Sequence, residues 1–169
     1  TLQCSAMAID GVEFRRVLGQ FATGVTVVTT RHEGVPQGMT ANSFSSVSLD
    51  PPLVLFCADK RARSGMLVGA AGCFAVNVLA EEQRHLSDLF AGKGTDEQRR
   101  ALLDEIGQDA VTGAPLLPGV LGWLDCRLER VLDAGDHVVY FGEVVAAGGG
   151  DRAAPLLYFR SSYRRLGPL

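Results

Sequence analysis

The sequence lacks the features that mark a membrane span, a nucleic-acid-binding surface or a disulfide framework. No apolar run reaches the roughly 20 residues that a membrane helix needs. The net charge of −3 offers no basic footprint for nucleic acid or for an anionic membrane. The four cysteines include no CxxC pair, so a zinc site or a redox motif is disfavoured and a cytoplasmic location is expected.

The common nucleotide-binding and hydrolase motifs are missing as well. No GxGxxG follows a first strand, and no GxxxxGK[ST] or GxSxG occurs. The three histidines, His32, His85 and His137, lack the spacing of metal ligands, so we expect no metal. The glycines at 148–150 are interpreted as a loose hairpin loop between two strands rather than a phosphate cradle. Any nucleotide must therefore be bound without a Rossmann fold or a P-loop.

Length and apolar content favour one domain. The chain has 169 residues, 47% of them apolar, which is enough for one core. We expect the domain to cover residues 10–169. Because the sequence starts with Thr1 rather than Met, residues 1–9 are expected to be a disordered or tag-derived N-terminus.

The pattern of elements is rich in strands. An amphipathic helix is predicted over 10–22 with Asp10 as its cap, and a turn at Gly34-Val35-Pro36. Strands are predicted over 24–31, in two parts of the segment 38–55 with a break around 43–48, in LVLFCA after Pro51-Pro52, over 73–79, over 120–133 and from His137 onward. Short helices are predicted near 61–70, 81–90 and 96–105. Because strands and helices do not alternate as βαβ units, an antiparallel β-barrel with helical additions is predicted.

The segment from Gly38 to Leu55, GMTANSFSSVSLDPPLVL, is the most informative stretch. It carries five hydroxyl residues and the amide of Asn42 before a Pro-Pro pair. A core strand needs fewer hydrogen-bonding groups than this. The segment is therefore predicted to line a polar ligand with backbone N–H groups and hydroxyls, without fixed charge.

His137 differs from the other two histidines because it follows Gly135-Asp136 at the start of a strongly β segment. One interpretation is a capping Asp with a half-buried His at a hairpin. The other is a polar group that positions a ligand at the mouth of the barrel. The residues themselves leave both interpretations open.

Taken together, these segments resemble the flavin reductase family. The resemblance covers about residues 12–166 and is carried by GVTVVTT (24–30), GMTANSFSSVSLDPPLVLF (38–56), FAVNVLA (74–80), GDHVVYFGEV (135–144) and PLLYFRSSYRRL (155–166). It implies a mainly β split β-barrel with a few short helices, which forms homodimers with flavin bound near the subunit interface. It also implies hydride transfer from NADH, or NADPH, to FAD, or FMN, and a separate monooxygenase that receives the reduced flavin.

The resemblance also implies site residues. The implied flavin contacts are Thr40, Ala41, Asn42 and Ser43 along the ring and ribityl chain, Ser46 and Ser48 nearer the phosphate, Cys57, Ala58 and Asp59 at the pyrimidine side, Arg63 and Ser64 beyond them, and Asn77 and Phe90. His137 matches the histidine on the nicotinamide side, where we expect it to position the cofactor. Tyr158, Arg160 and Tyr163 match the C-terminal segment that closes over the site. Gly65-Met66 departs from the threonine that the family usually has, which affects the assignment of the phosphate ligands.

This chemistry needs no nucleophile and no strong base from the protein, since the cofactors supply the electronic changes. The protein must hold two rings face to face and stabilise negative charge on the flavin. Two alternatives remain at this point. One is a non-catalytic flavin-binding or electron-carrying protein, and the other is a purely structural barrel.

Overall fold

The computed structural model describes residues 9–150 and 154–167. The expectation for residues 1–8 lies outside this part. The helices are α1 Gly11–Leu18, α2 Arg63–Ala71, α3 Arg84–Asp88 and α4 Asp96–Ile106, with a 3-10 turn Glu81–Gln83 before α3 and a π-helical turn Leu89–Lys93 after it. The strands are β1 Thr23–Gly24, β2 Thr26–His32, β3 Val35–Ala41, β4 Phe44–Leu49, β5 Pro52–Asp59, β6 Cys73–Val78, β7 Gln108–Asp109, β8 Pro115–Leu116, β9 Gly122–Ala134, β10 His137–Gly149, β11 Leu157–Phe159 and β12 Ser162–Arg164.

Seven antiparallel strands form the main sheet, in the order β3-β2-β6-β9-β10-β5-β4. Strands β5 and β6 stand three places apart, which would separate them by about 14 Å in a flat sheet. The rings of Phe56 and Phe74 nevertheless meet with their centroids 5.0 Å apart, so the sheet curls around its core. The edge strands β3 and β4 share no ladder within the described chain, which leaves the barrel split. The predicted split β-barrel is confirmed.

Helix α2 packs mainly on β2 and reaches β3 on one side and β5 on the other, next to the split. The hydroxyl of Ser64 donates to the carbonyl of Gly38 on β3 at 3.1 Å. Gly65 packs on β5, where a Cβ would lie only 2.9 Å from the Cβ of Ala58. Because a larger residue at position 65 would collide there, the glycine allows the helix to contact both sides of the split.

Some local predictions need correction. Asp10 caps α1 as predicted, accepting from the N–H of Val12, but the helix ends at Leu18 rather than at residue 22. Val35 and Pro36 already belong to β3, because the turn is made by Glu33 and Gly34 with positive φ.

The predicted loop at the glycines 148–150 is wrong for its first two residues. Gly148 and Gly149 continue β10 and pair with Trp123 and Gly122 of β9. A Cβ at Gly148 would lie 2.5 Å from the indole of Trp123. The glycine therefore makes room for the tryptophan ring inside the hairpin.

Asn77 makes three hydrogen bonds inside the core. It is fully buried on β6, and its amide nitrogen donates to the carbonyl of Val27 and to the hydroxyl of Thr29, both at 3.1 Å. Its oxygen accepts from the N–H of Leu117 at 2.8 Å. The side chain thus ties β2 and β6 to the segment that follows β8.

We predict that Asn77→Ala lowers the free energy of unfolding by about 2–4 kcal/mol, because it leaves the buried N–H of Leu117 without its acceptor. Asn42→Ala, a matched change at an exposed position, should alter it by less than about 0.5 kcal/mol. Urea unfolding followed by circular dichroism measures both. Equal stabilities for the two variants would contradict the structural role of Asn77.

Candidate functional site

The register of the sheet brings most of the sequence-predicted residues to one end of the barrel. Ser43 lies against Cys57 at the end of β5, since its hydroxyl accepts from the Cys57 N–H at 3.1 Å and donates to the Cys57 carbonyl at 2.9 Å. One strand further, Asp59 pairs with His137 at the start of β10. The hydroxyl-rich segment, the end of β5 and the Gly-Asp-His turn are therefore contiguous.

The connection between β3 and β4 exposes backbone at this end. The ladder of β3 stops at Ala41 and that of β4 starts at Phe44, so Asn42 and Ser43 stand outside the strand pairing. The segment is fixed by one side chain just before this gap and by one within it. Thr40 donates to the carbonyl of Ser87 at 2.7 Å, and Asn42 donates to the hydroxyl of Thr23 at 3.3 Å. Two consecutive peptide groups are thus held in place with exposed side chains around them.

His137 is oriented by its neighbour in the turn. Its Nδ1 lies 2.7 Å from Oδ1 of Asp136, and 45% of its side chain is exposed. A carboxylate only accepts hydrogen bonds, so Nδ1 carries the proton and Nε2 is left to face a ligand. The hydrogen bond from His137 also lowers the pKa of Asp136. The turn itself is closed by the N–H of Lys60, which donates to the carbonyl of Asp136 at 3.0 Å.

The charges between β5 and α2 are largely paired. Arg61 binds both oxygens of Asp59, at 3.0 and 2.7 Å, and its hydrogen bonds hold the pKa of Asp59 well below the usual range. Lys60 binds Asp133 at 2.6 Å. Arg63, the first residue of α2, has only a longer ion pair, at 3.6 Å from Asp96.

The N-terminus of α2 has the character of an anion site. Its N-cap is Ala62, which has no side chain to cap the helix, and no acidic residue occupies its first turn. Free N–H groups at a helix N-terminus favour a phosphate, and Arg63 and Ser64 stand at this end. This end of the helix faces the split, beside the residues that precede Asn42.

The C-terminal hairpin forms another wall. Tyr158 of β11 pairs with Thr23, and its ring meets that of Tyr163 edge to face with centroids 5.5 Å apart. The hydroxyl of Tyr163 lies 2.8 Å from that of Ser87 and donates to Asp88 at 3.0 Å. A cavity of about 280 Å³ is lined by Val25, Thr40, Asn42, Ser87, Ala91, Tyr158 and Tyr163.

Arg160 anchors the turn of this hairpin rather than lining that cavity. Its guanidinium makes two hydrogen bonds to the side-chain oxygen of Gln20, at 2.9 and 2.6 Å. The backbone N–H of Arg160 donates to the carbonyl of Gly19. Arg160 and Ser161 both adopt positive φ, which costs energy in residues other than glycine. The bonds to the chain after α1 hold the turn in this conformation.

Two residues that were predicted to contact the flavin have side chains buried in the core. The amide of Asn77 is buried and bonded inside the core, as described above, and reaches no ligand surface. Phe90 is 4% exposed and belongs to the second core cluster, where its ring occupies the space that a Cβ on Gly38 would need. Both side chains therefore lie inside the core, away from the surface at which the family resemblance implied flavin contacts.

Three further predictions stand at the margin of the site. The side chain of Ala58 is buried, so only its backbone is close to the end of β5. Ser46 and Ser48 are exposed and half-buried, and lie about 10 and 17 Å beyond Ser43 at 3.3 Å per residue along β4. Their contact with the ribityl chain or the phosphate stays a prediction.

Sequence reasoning missed Thr23, Ser87 and Asp96. Thr23 and Ser87 position the segment around Asn42, and Asp96 faces Arg63. A serine directly after Leu86 on a short helix is a weak signal of a buried hydrogen bond. Nothing in the local sequence around Asp96 points to α2, because that contact forms only in the tertiary structure.

No group of three or more His, Cys, Asp or Glu side chains in residues 9–150 and 154–167 is arranged to hold a metal ion. Over the same residues, no helix is both long and apolar enough to cross a membrane.

Comparison with known proteins identifies the family. Residues 18–167 match the model of the flavin reductase like domain. The chain is 44% identical over 164 residues to the reductase subunit HsaB of a flavin-dependent monooxygenase from Rhodococcus jostii (strain RHA1), covering 97% of this chain and 82% of that protein.

Solved structures agree with this match. The crystal structure of BorF, the flavin reductase component of a bacterial two-component tryptophan halogenase, has a TM-score of 0.86 and 40% identity over 95% of this chain and all (100%) of that one. The Streptomyces globisporus C-1027 NADH:FAD oxidoreductase SgcE6, in complex with NAD and FAD fragments, has a TM-score of 0.84 and 40% identity over 94% of both chains. The chain belongs to the flavin reductase family, as the resemblance of its motifs implied.

Proposed function

We propose that this protein is an NADH-dependent flavin reductase that transfers hydride from NADH to FAD and supplies reduced flavin to a separate monooxygenase. The observation that carries the proposal is the convergence of three features at one end of the barrel. These are the exposed backbone at Asn42-Ser43, the uncapped start of α2 and the oriented imidazole of His137. The flavin and the nicotinamide supply the redox chemistry when bound, and the relatives named above support these two cofactors.

The gap between β3 and β4 suits the edge of a flavin ring. Asn42 and Ser43 offer N–H groups that no strand ladder uses, and the bonds of Thr40 to Ser87 and of Asn42 to Thr23 hold them in place. Donors that are already oriented stabilise developing negative charge without reorganisation. The hydrogen bonds between Ser43 and Cys57 fix the distance between this gap and the end of β5. The space for the edge of the flavin ring is therefore bounded on both sides by this bonded pair.

The start of α2 suits the phosphate of the flavin. The free N–H groups at Arg63 and Ser64 point out of the helix, and the guanidinium of Arg63 adds positive charge. Ser64 already donates to Gly38, so its oxygen can act only as an acceptor there. The backbone of the helix, rather than the threonine that the family usually has, would then hold the phosphate, with FMN as the alternative flavin.

For the nicotinamide nucleotide, the candidate contacts are His137 and the hairpin with Tyr158 and Tyr163. Nε2 of His137 is free to bond a carboxamide or a pyrophosphate, and it takes a positioning role. NADH is preferred to NADPH because two arginines that could otherwise hold a 2′-phosphate have other roles. Arg160 is bonded to Gln20, and Arg63 is proposed above to bind the flavin phosphate.

The protein is further proposed to be a single domain over residues 10–169 and to act in the cytoplasm. The family match over residues 18–167 supports one domain. Cys57, Cys73 and Cys126 are free thiols, which fits a reducing compartment.

A homodimer is proposed from the uncovered face of α1 and its continuation. Phe14, Val17, Leu18 and Phe21 form a stripe at helical spacing, and each is between 49% and 76% exposed. Such a stripe on a water-soluble helix normally faces a partner. Sedimentation equilibrium at micromolar concentration should give twice the chain mass, and Leu18→Lys with Phe21→Lys should shift it toward the monomer. A monomeric wild type would contradict the dimer.

Steady-state NADH oxidation tests the reductase assignment directly. With purified protein, the rate should rise with added FAD until saturation, should be lower with NADPH, and should vanish without flavin. Absorbance at 340 nm measures it. A protein that purifies with tightly held flavin and turns over no NADH would instead support the non-catalytic carrier. The absence of turnover with every pair of cofactors would refute the assignment.

His137→Ala should raise the KM for NADH or lower kcat by about tenfold, because the loss of one oriented hydrogen bond weakens cofactor positioning. His32→Ala, which removes a histidine at the far end of β2, is the control and should leave both constants within about twofold. The same NADH oxidation assay serves both variants. Unchanged constants in His137→Ala would remove the positioning role of His137.

A further inference from the structure

Asp96 connects the start of α4 to the start of α2. Its Oδ2 lies 3.6 Å from Nη1 of Arg63, and its other oxygen binds Arg99 one turn along α4. A capping box between Thr95 and Gln98 fixes the first turn of α4, with hydrogen bonds of 3.1 and 2.9 Å. The carboxylate therefore stands at a defined position beside the arginine at the anion-binding end of α2.

The pairing of Arg63 differs from that of its neighbours. Lys60 and Arg61 each make short hydrogen-bonded ion pairs, at 2.6 Å with Asp133 and at 2.7 Å with Asp59. The guanidinium of Arg63 makes no hydrogen bond to any described residue, and 63% of its side chain is exposed. Arg63 is thus the cation of this group that can turn to a ligand without breaking a short bond.

We propose that Asp96 is a competing anion that lowers the affinity of the site for the flavin phosphate by holding Arg63 and by repelling the phosphate. This inference rests on the proposed function, in which Arg63 and the start of α2 bind that phosphate. A phosphate drawn to Arg63 must replace or share the carboxylate of Asp96. The consequence is faster release of the flavin nucleotide, which suits a reductase that exports its product.

The electrostatics support a repulsive effect rather than a neutral one. The hydrogen bond from Arg99 lowers the pKa of Asp96, so the carboxylate is charged at neutral pH. Arg99 offsets part of this charge, but it also keeps the carboxylate beside Arg63. Two anions that share one exposed guanidinium repel each other, and salt should weaken the effect because the site is open to solvent.

The substitution Asp96→Asn tests the inference, because asparagine keeps the shape but removes the charge. FMN should bind about three- to tenfold more tightly and dissociate correspondingly more slowly, whereas riboflavin, which has no phosphate, should change by less than about twofold. Quenching of flavin fluorescence measures both affinities at low salt. Glu97→Gln is the control, because it removes the same charge from the same helical turn. The side chain of Glu97 lies on a different side of the helix from that of Asp96, so FMN affinity should be unchanged.

A double variant tests whether the effect of Asp96 depends on Arg63. In Arg63→Gln, the further change Asp96→Asn should tighten FMN by much less than it does in the wild type. Unchanged or weaker FMN binding in Asp96→Asn, or equal tightening of riboflavin, would overturn the inference while leaving the reductase assignment intact. Failure of the wild type to bind FMN, FAD or riboflavin would instead overturn the proposed function, and this inference with it.

Discussion

The contact of α2 with both sides of the split is the constraint on which the site depends. Ser64 bonds the backbone of β3 and Gly65 lies against Ala58 of β5, so one short helix sets the distance between two strands that share no ladder. The same helix presents its uncapped N-terminus at the opening. The connection between β3 and β4 crosses that opening, which places exposed backbone beside the helix end that is proposed to bind the phosphate. Packing and ligand binding therefore use the same element.

The charged groups around the opening are mostly paired with one another. Around the opening, Asp59, Asp133 and Asp136 are each bonded to a nearby Arg, Lys or His, whereas the described partner of Arg63, Asp96, is held loosely. A site of this kind offers oriented dipoles, the positioned imidazole of His137 and one adjustable cation. That is what hydride transfer between two bound cofactors requires, since the cofactors carry the electrons and the protein supplies position and polarity.

The pattern of strands along the sequence predicted the barrel. Local chemistry singled out the segment from Thr40 to Ser43 and His137 as candidate ligand contacts, and their contact with a cofactor stays a prediction. Hydroxyl residues before Pro-Pro and a Gly-Asp-His turn are visible in a few consecutive residues. Asn77, Phe90 and Gly148 were misplaced for a common reason. Which face a side chain takes, and whether a glycine ends a strand or admits a tryptophan, depends on partners far away in the chain. The pairing of Arg63 with Asp96 joins two helices separated by 33 positions (96 − 63), and no local pattern indicates it.

The most direct measurement is a crystal structure of the protein with FAD bound. We expect the flavin ring to lie against residues 40–43 and 57–59, with a phosphate oxygen within hydrogen-bond distance of the backbone N–H groups at Arg63 and Ser64. A larger cavity, of about 480 Å³, lies at the opposite end of the long hairpin and is lined in part by Leu117, Trp123 and Gly149. Flavin bound in that cavity, with the start of α2 left free, would contradict the account.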